Sequence, residues 1–220
     1  MEGFAMKPTT KALIFSLAVV TVGVLATAGT LLLTGPTPQT LTSGPAVVGK
    51  TITTGTAAIG GPFTLVSTNG ENVSDQSYRG KWLLIFFGYT FCPDACPTAL
   101  NNISVALEAL GSDANKLQPL FITVDPQRDT REVIGEYLKS FDSRIVGLTG
   151  TQAQVDSVVK EYRVYAASQK TESGDDYLVS HSAYVYLMNP QGTFVNVISG
   201  GASGEEIAAW LRKEMARPTG

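Results

Sequence analysis

The chain has 220 residues, with 16 Lys and Arg against 19 Asp and Glu, so its formal net charge at pH 7 is −3. This weakly acidic balance argues against nucleic acid as a partner, because phosphate groups favour a basic surface. The chain contains only two cysteines and one histidine. Any soft-metal or thiol chemistry must therefore depend on Cys92, Cys96 and His181.

Residues 12–34 are predicted to form a transmembrane anchor. The segment carries no charged residue, and a membrane span needs about 20 apolar residues. Two lysines precede it and the next basic residue is Lys50, so the positive-inside rule places residues 1–11 in the cytoplasm and the remainder across the membrane. A signal peptide is the alternative, because residues 26–28 resemble a cleavage site. The apolar run continues to Leu33, which favours an uncleaved segment.

A flexible tether and one folded domain are predicted to follow. Residues 35–58 are rich in Pro, Gly, Thr and Ser, and such a composition cannot bury a hydrophobic core. Residues 59–218 number about 160, which is a usual size for a single domain with its own core.

The first part of this domain predicts a β-hairpin, a central strand and a helix. Asn69-Gly70 between two apolar segments is a strong hairpin signal, and the unbroken apolar run at residues 82–87 is typical of a strand buried on both faces. Cys92 and Cys96 follow that strand. Beyond them, apolar residues at helical spacing predict a helix. These apolar positions are Leu100, Ile103, Leu107 and Leu110.

The rest of the domain continues the alternation of strands and helices. Strands are predicted at 120–124, 145–148, 182–188 and 193–198, and helices at 130–141, at 151–162 and from Ser203. Thr130, Thr151 and Ser203 are the expected helix caps. With the cysteines after the first core strand, this order predicts an α/β thioredoxin-like fold that carries an N-terminal β-hairpin extension.

The cysteine pair has a structural, a redox and a metal-binding interpretation. A disulfide between Cys92 and Cys96 would close a loop of only five residues, which removes little entropy from the unfolded chain. A position at a helix N-terminus lowers a thiol pKa and favours thiolate, which is both a metal ligand and a nucleophile. Each cysteine precedes a proline, so an irregular loop is expected around both of them.

Five blocks of sequence carry a family resemblance. They are Gly60–Leu65, Phe87–Thr90, Cys92–Pro97, Val124–Thr130 and Tyr177–Ser182. Together they resemble the Sco/SenC family of membrane-anchored copper proteins that serve cytochrome c oxidase assembly. The resemblance implies that Cys92, Cys96 and His181 bind copper, as Cu(I) or as Cu(II). Two thiolates and an imidazole suit Cu(I), and zinc is the competing metal for this ligand set.

Two residues near this copper site depart from the pattern of the Sco/SenC family, and one further loop has two interpretations. Ser180 stands where many relatives have Asp, and Phe91 stands where some have His. Asp125, Arg128 and Asp129 have two interpretations. They form either a turn with a helix cap or a loop beside the copper site that contacts a partner.

Two functions of different classes follow. The first is copper delivery to the copper-bearing subunit of cytochrome c oxidase, in particular its CuA centre, from the periplasmic face of a bacterial inner membrane. The second is thiol-disulfide exchange by a Cys92–Cys96 redox pair, which would make the protein an oxidoreductase. A periplasmic thiol reductase or another copper chaperone is an expected further partner. The C-x-x-x-C spacing differs from the C-x-x-C of thioredoxins, which favours the metal.

Overall fold

The computed structural model describes residues 58–170 and 177–217. Its strands are β1 (Thr64–Ser67), β2 (Asn72–Ser74), β3 (Trp82–Gly88), β4 (Leu117–Thr123), β5 (Val146–Thr149), β6 (Ala166–Lys170), β7 (Tyr177–His181), β8 (Tyr184–Met188) and β9 (Phe194–Ser199). Its α-helices are α1 (Ala95–Leu110), α2 (Arg131–Leu138), α3 (Gln152–Glu161) and α4 (Gly204–Met215). Short 3₁₀ helices cover Asp75–Tyr78 and Gly111–Lys116.

The predicted transmembrane segment lies outside the described residues, as does nearly all of the predicted tether. Within the described ranges, every helix is too short or too polar to cross a membrane.

Within the described residues, seven strands form one mixed sheet in the order β2-β1-β5-β4-β3-β8-β9. Strands β3, β4 and β5 run parallel, whereas β8 pairs with β3 and β1 pairs with β5 in antiparallel fashion. All seven residues of β3 are buried, as the unbroken apolar run predicts. Gly88 at the end of β3 pairs with Thr123 at the end of β4. The loops that follow these two strands therefore emerge side by side at the carboxyl edge of the sheet, where ligands bind in open α/β sheets.

Several local signals are confirmed. The N-terminal hairpin turns at Gly70, whose φ of +85° suits glycine, and it extends the main sheet through the pairing of β1 with β5. Thr130, Thr151 and Ser203 each accept a hydrogen bond from the third residue of the helix that follows. In physical terms, each cap satisfies one of the backbone N–H groups that a helix start leaves without an intrahelical partner.

Strands β6 and β7 form a separate two-stranded antiparallel sheet, called the arm below. The sequence reasoning missed this arm, because β6 reads Ala-Ala-Ser-Gln-Lys and has little β-propensity. The strand predicted at 182–188 begins only at Tyr184. His181 is the last residue of β7 and pairs with Ala166, so it belongs to the arm and not to the main sheet.

Glycine at position 147 of β5 allows α2 to approach the sheet. A methyl group there would overlap Ile134 and lie 2.8 Å from Leu138 Cδ1.

We expect Gly147→Ala to lower the free energy of unfolding by about 1–3 kcal/mol, because overpacking strains a dense core. The matched control is Gly135→Ala within α2, where the new methyl would lie 3.9 Å from Thr68. That change should raise stability by about 0.5–1 kcal/mol. Urea unfolding measures the free energy of unfolding of both variants. Equal changes in the two variants would contradict the packing explanation.

Candidate metal centre

Three different segments bring the predicted ligands together. Cys92 lies in the loop after β3, Cys96 is the second residue of α1, and His181 ends β7. The two sulfur atoms and an imidazole nitrogen all lie within 4.8 Å of one another. Both cysteines are free thiols. Cys96 is fully buried, whereas Cys92 is partly exposed.

The imidazole of His181 is held in a defined orientation. Its Nδ1 lies 3.3 Å from the carbonyl oxygen of Ser182. A carbonyl can only accept, so this contact requires a proton on Nδ1. The other ring nitrogen, Nε2, faces Cys96 Sγ at 3.2 Å. The edges of Phe86 and Tyr89 pack against the ring, with centroids at 6.1 and 5.8 Å. The nitrogen available to a metal is therefore Nε2.

The expectation of an irregular loop at both cysteines is only half right. Cys92 does lie in a loop, but Cys96 is in the first turn of α1. Pro97 is tolerated there because the first backbone N–H groups of a helix have no intrahelical acceptor. The N–H of Cys96 is one of these groups, and it donates to Cys92 Sγ at 3.4 Å. The helix start thus holds one ligand and stabilises the other.

Gly88 makes room for the buried sulfur. A methyl group at this position would lie 2.8 Å from Cys96 Sγ and 2.9 Å from the ring of Phe121. The sequence reasoning did not assign this role to Gly88. The available signal was a glycine directly after an apolar run and a few residues before the first cysteine.

The two thiols titrate in opposite directions. The hydrogen bond from the Cys96 thiol holds the pKa of Cys92 well below its usual range, and bonds from His181 and from backbone N–H groups act in the same direction against burial. The pKa of Cys96 is raised, first by the same bond to Cys92 and then by burial. In the metal-free protein these shifts favour the thiolate at Cys92 and the thiol at Cys96.

Asp129 holds the start of the cysteine loop through hydrogen bonds. Its fully buried carboxylate accepts hydrogen bonds from the Thr90 N–H at 3.0 Å, the Thr90 hydroxyl at 2.6 Å and the Thr123 hydroxyl at 2.6 Å. Burial raises the pKa of Asp129, with the threonine bonds acting against it. Asp129 directly precedes Thr130, the cap of α2, and its carboxylate bonds to Thr90 and Thr123.

Asp125 and Arg128 lie between the cysteine loop and the arm. Arg128 Nε donates to Asp125 at 2.5 Å, and the Tyr177 hydroxyl donates to the same carboxylate at 2.7 Å. The guanidinium carbon lies 4.8 Å from the ring centroid of Phe91, the neighbour of Cys92. The structure therefore places this loop beside the candidate metal centre. Tyr177 is a further residue that the sequence reasoning did not single out for this role.

Ser180 lies on the other face of the arm from His181. Side chains alternate along a strand, and Ser180 pairs with Ala167 across the arm. The orientation of the imidazole rests on the Ser182 carbonyl and on two aromatic edges.

Comparison with known proteins decides the family. A family model described as SCO1/SenC matches residues 51–216. The chain belongs to the SCO1/SenC family. It is 42% identical over 159 residues to "Protein SCO1 homolog, mitochondrial" of Homo sapiens, covering 71% of this chain and 53% of that protein. It is 46% identical to "Protein SCO1 homolog 2, mitochondrial" of Arabidopsis thaliana, covering 72% and 57%. The chain thus spans little more than half the length of these SCO1 relatives.

Solved structures of similar SCO1/SenC proteins agree with the fold. Bradyrhizobium japonicum ScoI with copper bound is 48% identical, with a TM-score of 0.67 over 71% of this chain and 99% of that one. Yeast Sco1 with copper bound is 38% identical, with a TM-score of 0.68 over 74% and 91%. The predicted α/β thioredoxin-like fold is confirmed.

The asymmetry of the thiols predicts how the metal-free, reduced protein reacts with iodoacetamide. Because the pKa of Cys92 is depressed, its alkylation rate should change little between about pH 5 and pH 8, whereas an ordinary thiol reacts about tenfold faster per pH unit below its pKa of about 8.5. Mass spectrometry of the labelled peptide measures the rate. In the Cys92→Ser control, Cys96 should still label slowly throughout, because its side chain is fully buried. A Cys92 rate that climbs steadily to pH 8 would contradict the assignment.

Proposed function

We propose that this protein is a membrane-anchored copper chaperone that binds copper through Cys92, Cys96 and His181 and delivers it to cytochrome c oxidase during assembly. One observation carries the proposal. Two thiol sulfurs and one imidazole nitrogen converge within 4.8 Å in a chain of the SCO1/SenC family. Similar proteins of known structure have copper bound.

The ligand chemistry supports copper as the cargo. Thiolates are soft ligands that select Cu(I), and imidazole suits copper as well. Because the pKa of Cys92 is lowered and that of Cys96 is raised, copper binding would displace mainly the proton of Cys96. The partly exposed Cys92 leaves one side of the site open to ligands of an acceptor. Copper can then pass by stepwise ligand exchange, without release into solution.

The acceptor that we propose is the copper-bearing subunit of cytochrome c oxidase, at its CuA centre. The resemblance of the sequence blocks to Sco/SenC proteins that serve oxidase assembly supports this partner. Another copper chaperone would supply the cargo, and a periplasmic thiol reductase would keep the two cysteines reduced.

The location that we propose is the bacterial inner membrane, with the folded domain in the periplasm. The support is the uncharged segment at residues 12–34, which is long enough to span a bilayer core. The lysines before it favour a cytoplasmic N-terminus. Residues 35–58 would then tether the domain at residues 59–218 to the membrane.

A thiol-disulfide oxidoreductase is the second candidate, and the reactive thiolate favours it. Cys92 would attack one sulfur of a partner disulfide, forming a mixed disulfide and releasing one partner thiolate. Cys96 would then displace the second partner sulfur and form a Cys92–Cys96 disulfide. Two electrons pass to the partner, and an external reductase must restore the pair.

Asp125, Arg128 and Asp129 form a supporting loop in this proposal. Asp129 fixes the cysteine loop through Thr90. The Arg128 side chain is only 17% exposed and that of Asp125 only 4%. These exposures favour a role in holding the site over a role as a wide partner surface.

Anaerobic titration with Cu(I) against a competing chelator tests the ligand set. Wild type should bind one tight equivalent, and Cys92→Ser or Cys96→Ser should abolish this binding. His181→Ala should lower the affinity by at least about 100-fold, since loss of a ligand exceeds the effect of an outer-shell change. It should still form the Cys92–Cys96 disulfide, which separates metal binding from redox chemistry. Wild-type affinity in His181→Ala would rule out the three-ligand arrangement.

Transfer to an acceptor tests delivery. Copper-loaded protein is mixed anaerobically with the metal-free, reduced soluble fragment of the oxidase copper-bearing subunit, and the two are separated for metal analysis. We expect copper on the acceptor with wild type and a smaller, chelator-sensitive transfer with His181→Ala. If copper stays in place while the protein readily reduces an oxidised acceptor fragment, the oxidoreductase function is the correct one.

A further inference from the structure

The third ligand belongs to a part of the molecule that is not paired with the main sheet. His181 ends β7, and the arm forms its own two-stranded sheet. Both cysteines, by contrast, follow β3 in the interior of the main sheet. Two residues join His181 to β8, which pairs with β3, and contacts other than strand pairing hold the rest of the arm near the cysteine loop.

Four side chains from three segments make such a contact, and we call them the clasp: Phe91, Asp125, Arg128 and Tyr177. The Arg128 guanidinium carbon lies 3.7 Å from the ring centroid of Tyr177 and 4.8 Å from that of Phe91. A planar guanidinium stacks well on aromatic faces. Arg128 thus contacts the arm through Tyr177 and the cysteine loop through Phe91.

Polar bonds fix the geometry of the clasp. Asp125 accepts from Arg128 Nε at 2.5 Å and from the Tyr177 hydroxyl at 2.7 Å. Arg128 Nη1 also donates to the backbone carbonyl of Tyr177 at 3.0 Å. The arm is thus held by both the side chain and the main chain of one residue. Because the side chains of Asp125 and Arg128 are largely withdrawn from water, the hydrogen bond between them is stronger than at an exposed site.

The clasp acts on the same face of β7 that carries the metal ligand. Tyr177, Val179 and His181 are two residues apart, so they lie on one face of the strand. Between the clasp and the imidazole, the Val179 N–H donates to the buried Tyr89 hydroxyl at 3.3 Å. Tyr89 itself follows β3 and packs its edge against His181. The first half of β7 is therefore attached to the cysteine side of the molecule.

From these contacts we infer that Arg128 is a positioning residue that holds His181 in register with the two cysteines by clasping Tyr177 against the cysteine loop. The inference rests on the proposed copper ligands. Its alternative is that the positive charge of Arg128 stabilises the thiolates directly, without acting through the arm.

A double-mutant cycle separates these two roles. Cu(I) affinity is measured anaerobically for the full-length chain in detergent, with Arg128→Gln in the wild-type and the His181→Ala backgrounds. We expect Arg128→Gln to weaken copper binding by about 10- to 100-fold in the wild-type background, as outer-shell changes do. In the His181→Ala background the same change should alter the affinity by less than about twofold, because the positioned ligand is gone.

Two further variants control for charge. Arg128→Lys keeps the charge but lacks the planar fork, so it should recover little of the lost affinity. Arg131→Gln removes a comparable charge three residues away, where the side chain pairs with Glu132 on the surface, and it should bind copper like wild type. Full recovery by Arg128→Lys would overturn the clasp in favour of direct electrostatics.

Tyr177→Phe keeps the test decisive if Arg128→Gln does not fold, as judged by circular dichroism. It removes only the hydroxyl bond to Asp125 and should cause a smaller loss that again disappears with His181→Ala. An equal loss in both backgrounds would overturn the clasp while leaving the ligand set intact. If His181→Ala alone leaves copper affinity unchanged, the proposed ligand set is wrong, and the clasp proposal is overturned with it.

Discussion

The contact between Cys96 Sγ and His181 Nε2, at 3.2 Å, connects the main sheet to an arm that, among the described residues, forms a separate sheet. Three other features of the centre support this contact. Gly88 leaves space for the sulfur, the Ser182 carbonyl orients the imidazole, and Asp129 steadies the loop before the cysteines. A buried thiol and an imidazole nitrogen form a reliable pair of metal ligands only when neighbouring groups hold both of them in position.

The two cysteines of the candidate centre differ in how firmly they are held. Cys96 is enclosed by the core and begins a helix, so its position is fixed by packing. Cys92 lies in a loop with partial exposure and is stabilised as thiolate by its neighbours. A site with one immobile and one accessible sulfur can bind firmly and still exchange ligands. The same asymmetry suits thiol-disulfide exchange, which explains why the sequence alone left both functions open.

The sequence predicted what depends on local or periodic signals. The apolar run of β3, the Asn-Gly turn and the three caps at Thr130, Thr151 and Ser203 follow from short-range chemistry, and the structure contains them all. The three ligands could be named because the chain offers no other cysteine or histidine. The arm could not be predicted, since the residues of β6 have little intrinsic preference for a strand. Strand β6 instead depends on its pairing with β7, and the arm depends on contacts distant in sequence.

The sequence reasoning also missed hydrogen bonds between residues that are distant in sequence. Asp129 precedes a helix and looks like a cap, yet its carboxylate turns to Thr90, 39 residues earlier. Tyr177 looks like an ordinary strand residue, yet it meets Asp125, 52 residues earlier. Composition and spacing cannot reveal such partners, because the fold alone determines which loops emerge side by side.

Gly88 has a consequence for which parts of the centre can move. Because the space beside the Cys96 sulfur is bounded by the main chain of β3 and by the ring of Phe121, the wall behind the centre is the backbone of the most deeply buried strand. Main-chain atoms of a paired strand move less readily than a flexible side chain, so the Cys96 sulfur has little freedom to shift towards the sheet. A rearrangement of the centre would therefore have to come from the Cys92 loop or from the arm.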